Sequence, residues 1–201
     1  MDKKSLEENR APKVSEEDTK QVERRLVAAV QNGDRRAFGE LIRMHQKRLF
    51  RFIYGLTGSF DQTEDIVQEA FIKAFNAMET FRPQYSFYPW LSTIARNLTF
   101  NQLRREEKKE SLDHKTEIGF DPAAPELGPL EQVLNSEGQK RFYEALKALP
   151  EQYRTVFVLR HFEDMDYSQI ASQLKIPTGT VDSRLYRARK LLLEALKDLI
   201  E

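Results

Sequence analysis

The sequence predicts an all-α protein: two small helical domains joined by a flexible acidic linker. Three observations predict it. Apolar residues recur at three- and four-residue steps along most of the 201-residue chain. Glycine and proline are scarce, at eight each, while Leu, Ala, Glu, Lys, Arg and Gln are plentiful. Between 110 and 137 the composition changes: three prolines and two glycines accompany seven acidic residues and a single lysine, as in a linker between domains. No segment alternates convincingly at period two, and no internal repeat is visible.

Residues 1–20 are polar and charged, with Leu6 and Val14 their only large apolar residues, and read as a disordered tail. A first domain is expected over 21–109 and a second over 138–201. Helix begins near Thr19, carries Leu26, Val27 and Val30, and stops at Asn32-Gly33-Asp34, where Asp34 can cap the next helix. That helix bears Phe38, Leu41, Ile42, His45, Leu49, Phe52, Ile53 and Leu56, with Gly55 and Gly58 expected to end it. A third helix is expected from Asp61 to Met78, with Asp61 and Glu64 at capping-box spacing. A Pro-containing loop over 80–89 leads to a fourth helix from near Pro89 to about Lys109. Four more are expected near 138–148, 151–162, 167–174 and 178–200.

Composition removes several classes of function. The chain has no cysteine, so disulfides and thiolate metal sites are excluded. His45, His114 and His161 lie far apart, outside any metal-ligand spacing, and neither metal nor cofactor is expected. The start, Met1-Asp2-Lys3-Lys4, is not that of a signal peptide. No run approaches the roughly 18 apolar residues of a bilayer span. A cytoplasmic protein without membrane insertion is expected. An enzyme is disfavoured, because no nucleophile–base pair or glycine-rich phosphate loop is present. The 32 basic and 32 acidic residues cancel, so only their distribution is informative.

Asp166 to Leu174 fits a short helix, Lys175-Ile176-Pro177 a turn, and Thr178 a cap for the helix that follows. There Val181, Leu185, Ala188 and Leu192 form a buried stripe. The other face carries Thr180, Asp182, Ser183, Tyr186, Arg187, Arg189 and Lys190, and four basic residues fall between Arg184 and Lys190. A polar first half with basic flanks suits major-groove entry by a helix-turn-helix. An ordinary amphipathic hairpin has the same outline, but the turn, proline, cap and basic cluster together favour DNA readout.

Six aromatics fall within 81–100: Phe81, Tyr85, Phe87, Tyr88, Trp90 and Phe100. On the following helix Trp90, Thr93, Asn97, Phe100, Asn101 and Arg104 share a face that runs from aromatic through amide to basic. Aromatics stack on unpaired bases, amides read base edges and arginines hold phosphates. Phe81 and Phe100 fit a core role equally well; Tyr85 and Tyr88, in the loop, fit it less. Leu91, Ile94, Ala95 and Leu98 form the neighbouring buried face. Between these regions Asp61, Asp65 and Glu69 fall at i, i+4 and i+8, with Gln68 and Lys73 alongside and Ile66, Ala70 and Phe75 expected inward. An acidic stripe repels phosphate and makes better sense as a protein-docking face.

In these segments the chain resembles the extracytoplasmic-function RNA polymerase sigma factors of the sigma-70 family, especially the sigma-E type. The likeness rests on Asn32-Gly33-Asp34 with Ala37-Phe38, on Asp65 to Phe75, on Phe87-Tyr88-Pro89-Trp90-Leu91 with Ile94-Ala95-Arg96-Asn97, on Leu149-Pro150, and on Pro177 to Arg184. The resemblance implies that the 61–75 helix docks on the β′ clamp helices of core polymerase, with the β flap a second contact. It implies that Phe81, the 82–88 loop, Ile94, Ala95 and Asn97 enclose a base flipped from the −10 element. It places the −35 element on 178–190, with Ser183, Tyr186 and Arg187 at contact positions, and an anti-sigma factor among the partners. Relatives often carry a basic residue where Asp182 stands; an aspartate can instead accept from a cytosine amino group. A free-standing helix-turn-helix regulator is the main alternative, but a reader of duplex alone has no use for stacking platforms.

Overall fold

Asn32-Gly33-Asp34 separates the first two helices for a local reason. Gly33 adopts φ +95°, which glycine takes without steric cost. The Asp34 carboxylate then accepts the amides of Arg36 at 2.9 Å and Ala37 at 3.4 Å, two of the donors that a helix start leaves open. In the computed structural model, which describes residues 16–110 and 137–197, α1 (Glu16–Gln31) precedes this turn and α2 (Arg35–Thr57) follows it. Next come α3 (Phe60–Asn76), a 3₁₀ turn (Met78–Thr80) and α4 (Phe87–Glu110). The second half holds α5 (Glu137–Ala148), α6 (Glu151–Phe162), α7 (Tyr167–Leu174) and α8 (Thr178–Ala195). Among the described residues there is no strand.

Leu41, Leu49, Phe50, Phe52 and Ile53 of α2 meet Ala70 and Ala74 of α3 and Phe87, Leu91 and Ala95 of α4, all fully buried. In the second half Val156, Val158 and Leu159 of α6, Ile170 of α7 and Val181, Leu185 and Ala188 of α8 are equally inaccessible. Each such Leu, Ile, Val or Phe contributes roughly 1.5–3 kcal/mol through burial. The predicted stripe of α8 is the buried one.

Several expectations are corrected. Residues 16–20 belong to α1, so the tail expected over 1–20 is helical from Glu16; residues 1–15 and 111–136, which hold the rest of the expected tail and most of the expected linker, lie outside the described residues. Gly55 does not end α2. It is buried within it, where a Cβ would sit 3.2 Å from Val158 Cγ2. Its bare backbone lets α6 approach. Gly58 is the stop, with φ +63° and its N–H bonded to the Tyr54 carbonyl at 2.8 Å. The expected capping box at Asp61 does not form. The Thr63 hydroxyl instead donates to the Ser59 carbonyl at 2.6 Å and meets the Thr57 hydroxyl at 2.7 Å, so α3 starts earlier, with Ser59 as its cap position. A full capping box forms at Asp166 and Gln169. Pro177, not Thr178, occupies the cap position of α8, and no side chain caps that end.

The two halves are in contact. Tyr54 of α2 packs edge-on against Tyr143 of α5, ring centroids 5.0 Å apart. The Tyr88 hydroxyl donates to Glu163, between α6 and α7, at 2.8 Å, and Arg96 Nη1 lies 3.8 Å from Met165 Sδ.

Candidate nucleic-acid interface

Phe81, Phe87 and Trp90 pack as a cluster, with centroids 4.8 Å apart for Phe81–Trp90, 5.7 Å for Phe87–Trp90 and 5.9 Å for Phe81–Phe87. Phe87 and Ala95 are fully buried and Phe81 nearly so. Phe87 and Ala95 support the loop from beneath and offer no open face for stacking, while Phe81 is accessible only where it lines a pocket. Tyr85 is 62% exposed, and Trp90 and Ile94 are partly exposed. Thr80, Phe81, Arg82, Tyr85, Ser86, Pro89 and Trp90 line an open pocket of about 570 Å³, the order of size of a small-ligand site. Along α4, Asn97, Asn101 and Arg104 are exposed and Phe100 is half-buried. The aromatic-to-amide-to-basic face read from the sequence therefore exists, in α4 and the pocket at its start.

Two polar groups of α4 turn towards the second half of the chain. Tyr88 is buried, since α4 starts at Phe87 and turns this ring inward. Arg48 sits over the Tyr88 ring at 3.9 Å, and burial beside Glu163 pushes its hydroxyl pKa well up. Arg96, next to Asn97 on α4, is buried. Desolvation pulls its pKa down, opposed by Glu163. Glu163 is itself held above the usual carboxylate range, because burial outweighs hydrogen bonds from Ser92 and Tyr88 and the charges of Arg48 and Arg96.

The helix-turn-helix forms with the expected helices and turn, though Pro177 rather than Thr178 holds the cap position. Lys175 takes φ +55° between α7 and α8, and its N–H reaches back to the carbonyls of Ala171 and Ser172. Asp182, Ser183, Tyr186, Arg187 and Lys190 are exposed on α8, Tyr186 at 70%, while Thr180 and Arg184 are partly covered. Arg187 Nη1 donates to the Tyr153 hydroxyl at 3.0 Å, which holds that guanidinium against α6.

On α3, Asp61, Asp65, Gln68, Glu69 and Lys73 are all exposed, with Lys73 Nζ 3.3 Å from Glu69 Oε1. Phe75, expected inward, is 36% exposed although its ring meets Phe38 at 5.0 Å. It joins exposed Ile72 at an open apolar groove that also includes Phe38, Ile42, Val67 and Phe71 and is flanked by Glu64, Asp65 and Gln68. The face expected to dock on protein is thus apolar as well as acidic. The signal for Ile72 was its place off the Ile66–Ala70 stripe.

The candidate DNA-reading surfaces converge. Asn97, Phe100, Asn101 and Arg104 from α4 line one cleft of about 900 Å³ together with Gln173, Lys175 and Arg184. Among the described residues no group of three His, Cys, Asp or Glu could hold a metal ion, and no helix is long and apolar enough to cross a membrane.

Comparison with known proteins decides the family. Residues 41–109 match the model of Sigma-70 region 2, and residues 139–192 that of Sigma-70, region 4. The chain is 34% identical over 193 residues to the ECF RNA polymerase sigma-E factor of Escherichia coli K12, covering 93% of this chain and 99% of that one. The chain belongs to the extracytoplasmic-function sigma factors. It is 35% identical over 188 residues to the RNA polymerase sigma-H factor of Pseudomonas aeruginosa, covering 90% and 97% of the two chains. Two solved structures have a similar fold: CnrH in complex with the cytosolic domain of CnrY (26% identity, TM-score 0.54, 90% of this chain and 99% of that one), and the sigma factor RpoE in complex with the anti-sigma factor NepR from Bartonella quintana (27%, 0.55, 80% and 96%).

As a sigma factor, the protein binds core RNA polymerase and promoter DNA and directs the polymerase to specific promoters for transcription initiation. It is a specificity subunit of RNA polymerase. The α4 face and its aromatic pocket lie in the sigma factor's region 2, and the helix-turn-helix in its region 4.

Proposed function

We propose that the two halves of this sigma factor divide promoter recognition between single-stranded and duplex DNA. Residues 21–109 act as the domain that opens the −10 element. Tyr85 and Trp90 at the pocket, with Ile94 and with Asn97, Asn101 and Arg104 along α4, take unpaired bases and their phosphates, while Phe81, Phe87 and Ala95 shape the pocket from beneath. The observation that carries this reading is the continuity of an open aromatic pocket with an exposed amide-and-arginine face. Stacking contributes on the order of 1–3 kcal/mol per base, which helps to offset strand opening.

Residues 138–201 act on the −35 duplex. Thr180, Asp182, Ser183, Arg184, Tyr186 and Arg187 meet base edges and Lys190 a phosphate. Asp61, Asp65, Gln68, Glu69 and Lys73 dock on the β′ clamp helices of core polymerase, and the second half engages the β flap. The chain supplies binding and positioning and no catalytic residue. It acts in the cytoplasm, in a stress or envelope response, under an anti-sigma factor; that two similar structures are complexes, one named with its anti-sigma factor, supports the last point.

DNA binding requires the halves to separate. Elements named −35 and −10 lie about 25 base pairs, or about 85 Å, apart along B-DNA, whereas Asn97 and Arg184 line one cleft. Residues 111–136 bridge the halves and reach at most about 90 Å when extended, enough for that span. Run-off transcription with core polymerase on a promoter library tests the function. Discrete transcripts preceded by a shared −35 and −10 pair are expected, and no promoter-specific transcript would refute it.

A further inference from the structure

Two side chains of α1 grip opposite ends of the aromatic loop. At the near end, Gln31 Nε2 donates to the Met78 carbonyl at 2.9 Å and to the Phe81 carbonyl at 2.8 Å. At the far end, the Phe87 N–H donates to Glu23 Oε1 at 2.9 Å. The other Glu23 oxygen lies 2.9 Å from His45 Nε2, and the His45 ring packs against Phe87 and Tyr88, each at 5.6 Å between centroids. Both bonds cross a long interval of sequence, 50 residues for Gln31–Phe81 and 64 for Glu23–Phe87.

Each contact answers a local need. The Phe87 amide opens α4, and helix starts leave such amides without intrahelical partners. A carboxylate at that end also complements the helix dipole. Burial opposes charge on Glu23, but the bonds from His45 and the Phe87 amide, with the charges of His45 and Arg24, hold its carboxyl below the usual range. Gln31, half-buried, supplies two donors to carbonyls at the other end of the loop. Between these anchors lie Arg82, Tyr85 and Ser86, which line the pocket. Glu23 and Gln31 both precede residues 41–109, the part matched by the region 2 family model.

We propose that Gln31 and Glu23 are positioning residues for −10 base capture: α1 fixes both ends of the 81–87 loop and thereby sets the shape of the pocket. The proposal rests on the reading of that loop as the base pocket. Neither side chain lines the pocket. Their effect passes through the backbone carbonyls of Met78 and Phe81 and the amide of Phe87. Losing two hydrogen bonds that preorganise a loop weakens capture on the order of tenfold.

The test uses holoenzyme assembled from core polymerase and the full chain, on fork-junction DNA of a promoter it transcribes, with 2-aminopurine at the captured position. Gln31→Met keeps the volume of the side chain and removes both donors. The expected result is capture on the order of tenfold weaker, a smaller preference for the promoter base over other bases at that position, and faster hydrogen exchange at the 81–87 amides. Core binding and −35 duplex affinity stay at wild-type values. Gln31→Lys retains a donor and should restore most of the capture, whereas general destabilisation would leave base preference intact. Glu23→Gln retains an acceptor for the Phe87 amide and should stay near wild type, and Glu23→Leu should resemble Gln31→Met. Wild-type capture and base preference in Gln31→Met, alongside clear losses in Tyr85→Ala and Asn97→Ala, would overturn the positioning role alone. If Tyr85→Ala and Asn97→Ala also capture normally, the base-pocket reading falls and this proposal falls with it.

Discussion

The Tyr88 hydroxyl donates to the Glu163 carboxylate across 2.8 Å and 75 residues of sequence, tying α4, the helix of the proposed single-strand face, to the loop that leads into the helix-turn-helix. Arg48 on the Tyr88 ring, Arg96 and Ser92 complete its surroundings. Tyr88→Phe removes the donor and keeps the ring. A hydrogen bond to a charged group contributes roughly 1.5–3 kcal/mol, so this change should shift the protein towards separated halves. Small-angle scattering should then give a larger radius of gyration for Tyr88→Phe than for wild type.

The pH dependence of that contact has a definite sign. The folded-state pKa of Glu163 is raised, so the folded form holds more proton than the unfolded chain between the ordinary glutamate range and that raised value. Stability therefore falls as pH rises through this window, because burial of the ionised carboxylate costs more than its hydrogen bonds and neighbouring cations return. Thermal unfolding followed from acidic to neutral pH should show this slope, and Glu163→Gln should flatten it.

Lys175 holds φ +55° without being glycine. The left-handed conformation costs an L-residue roughly 1–2 kcal/mol, so Lys175→Gly should raise the thermal midpoint, less the extra chain entropy that glycine loses on folding. The backbone bonds to Ala171 and Ser172 are unaffected. A lower midpoint would mean that the Lys175 side chain contributes more than this backbone strain costs.

On α8, side chains assigned to base edges and to phosphate should separate in their salt response. Lys190→Ala should weaken binding to all −35 duplexes alike and reduce the slope of log affinity against log salt by about one. Tyr186→Ala or Ser183→Ala should instead change relative affinity among sequences. Fluorescence anisotropy of holoenzyme on duplexes at several salt concentrations checks both.

How much was legible in the sequence depends on how far each structural cause lies along the chain. The α8 stripe of Val181, Leu185, Ala188 and Leu192 was readable because one helix's periodicity sets it. The same holds for α6 and α7, whose bounds match the predicted 151–162 and 167–174. The cap at α3 went astray because hydroxyls of Thr57 and Thr63 compete with the Asp61 spacing. The burial of Tyr88 and Arg96 was invisible because Glu163 and Met165, their partners, lie in the other half. Gly55 read as a breaker because nothing near it in sequence reveals the approach of Val158. At the candidate interface the exposed residues Tyr85, Asn97, Asn101 and Arg104 were legible by type and spacing; the contacts of Glu23 and Gln31 with the loop were not, since tertiary packing alone makes them.

The division of labour between the two halves is tested most directly by permanganate footprinting of a promoter bound by holoenzyme carrying Asn97→Ala. Asn97 is exposed on α4 and lies outside the buried core. The account predicts loss of permanganate reactivity at −10 thymines with core-polymerase binding unchanged. Normal reactivity in that mutant would contradict it.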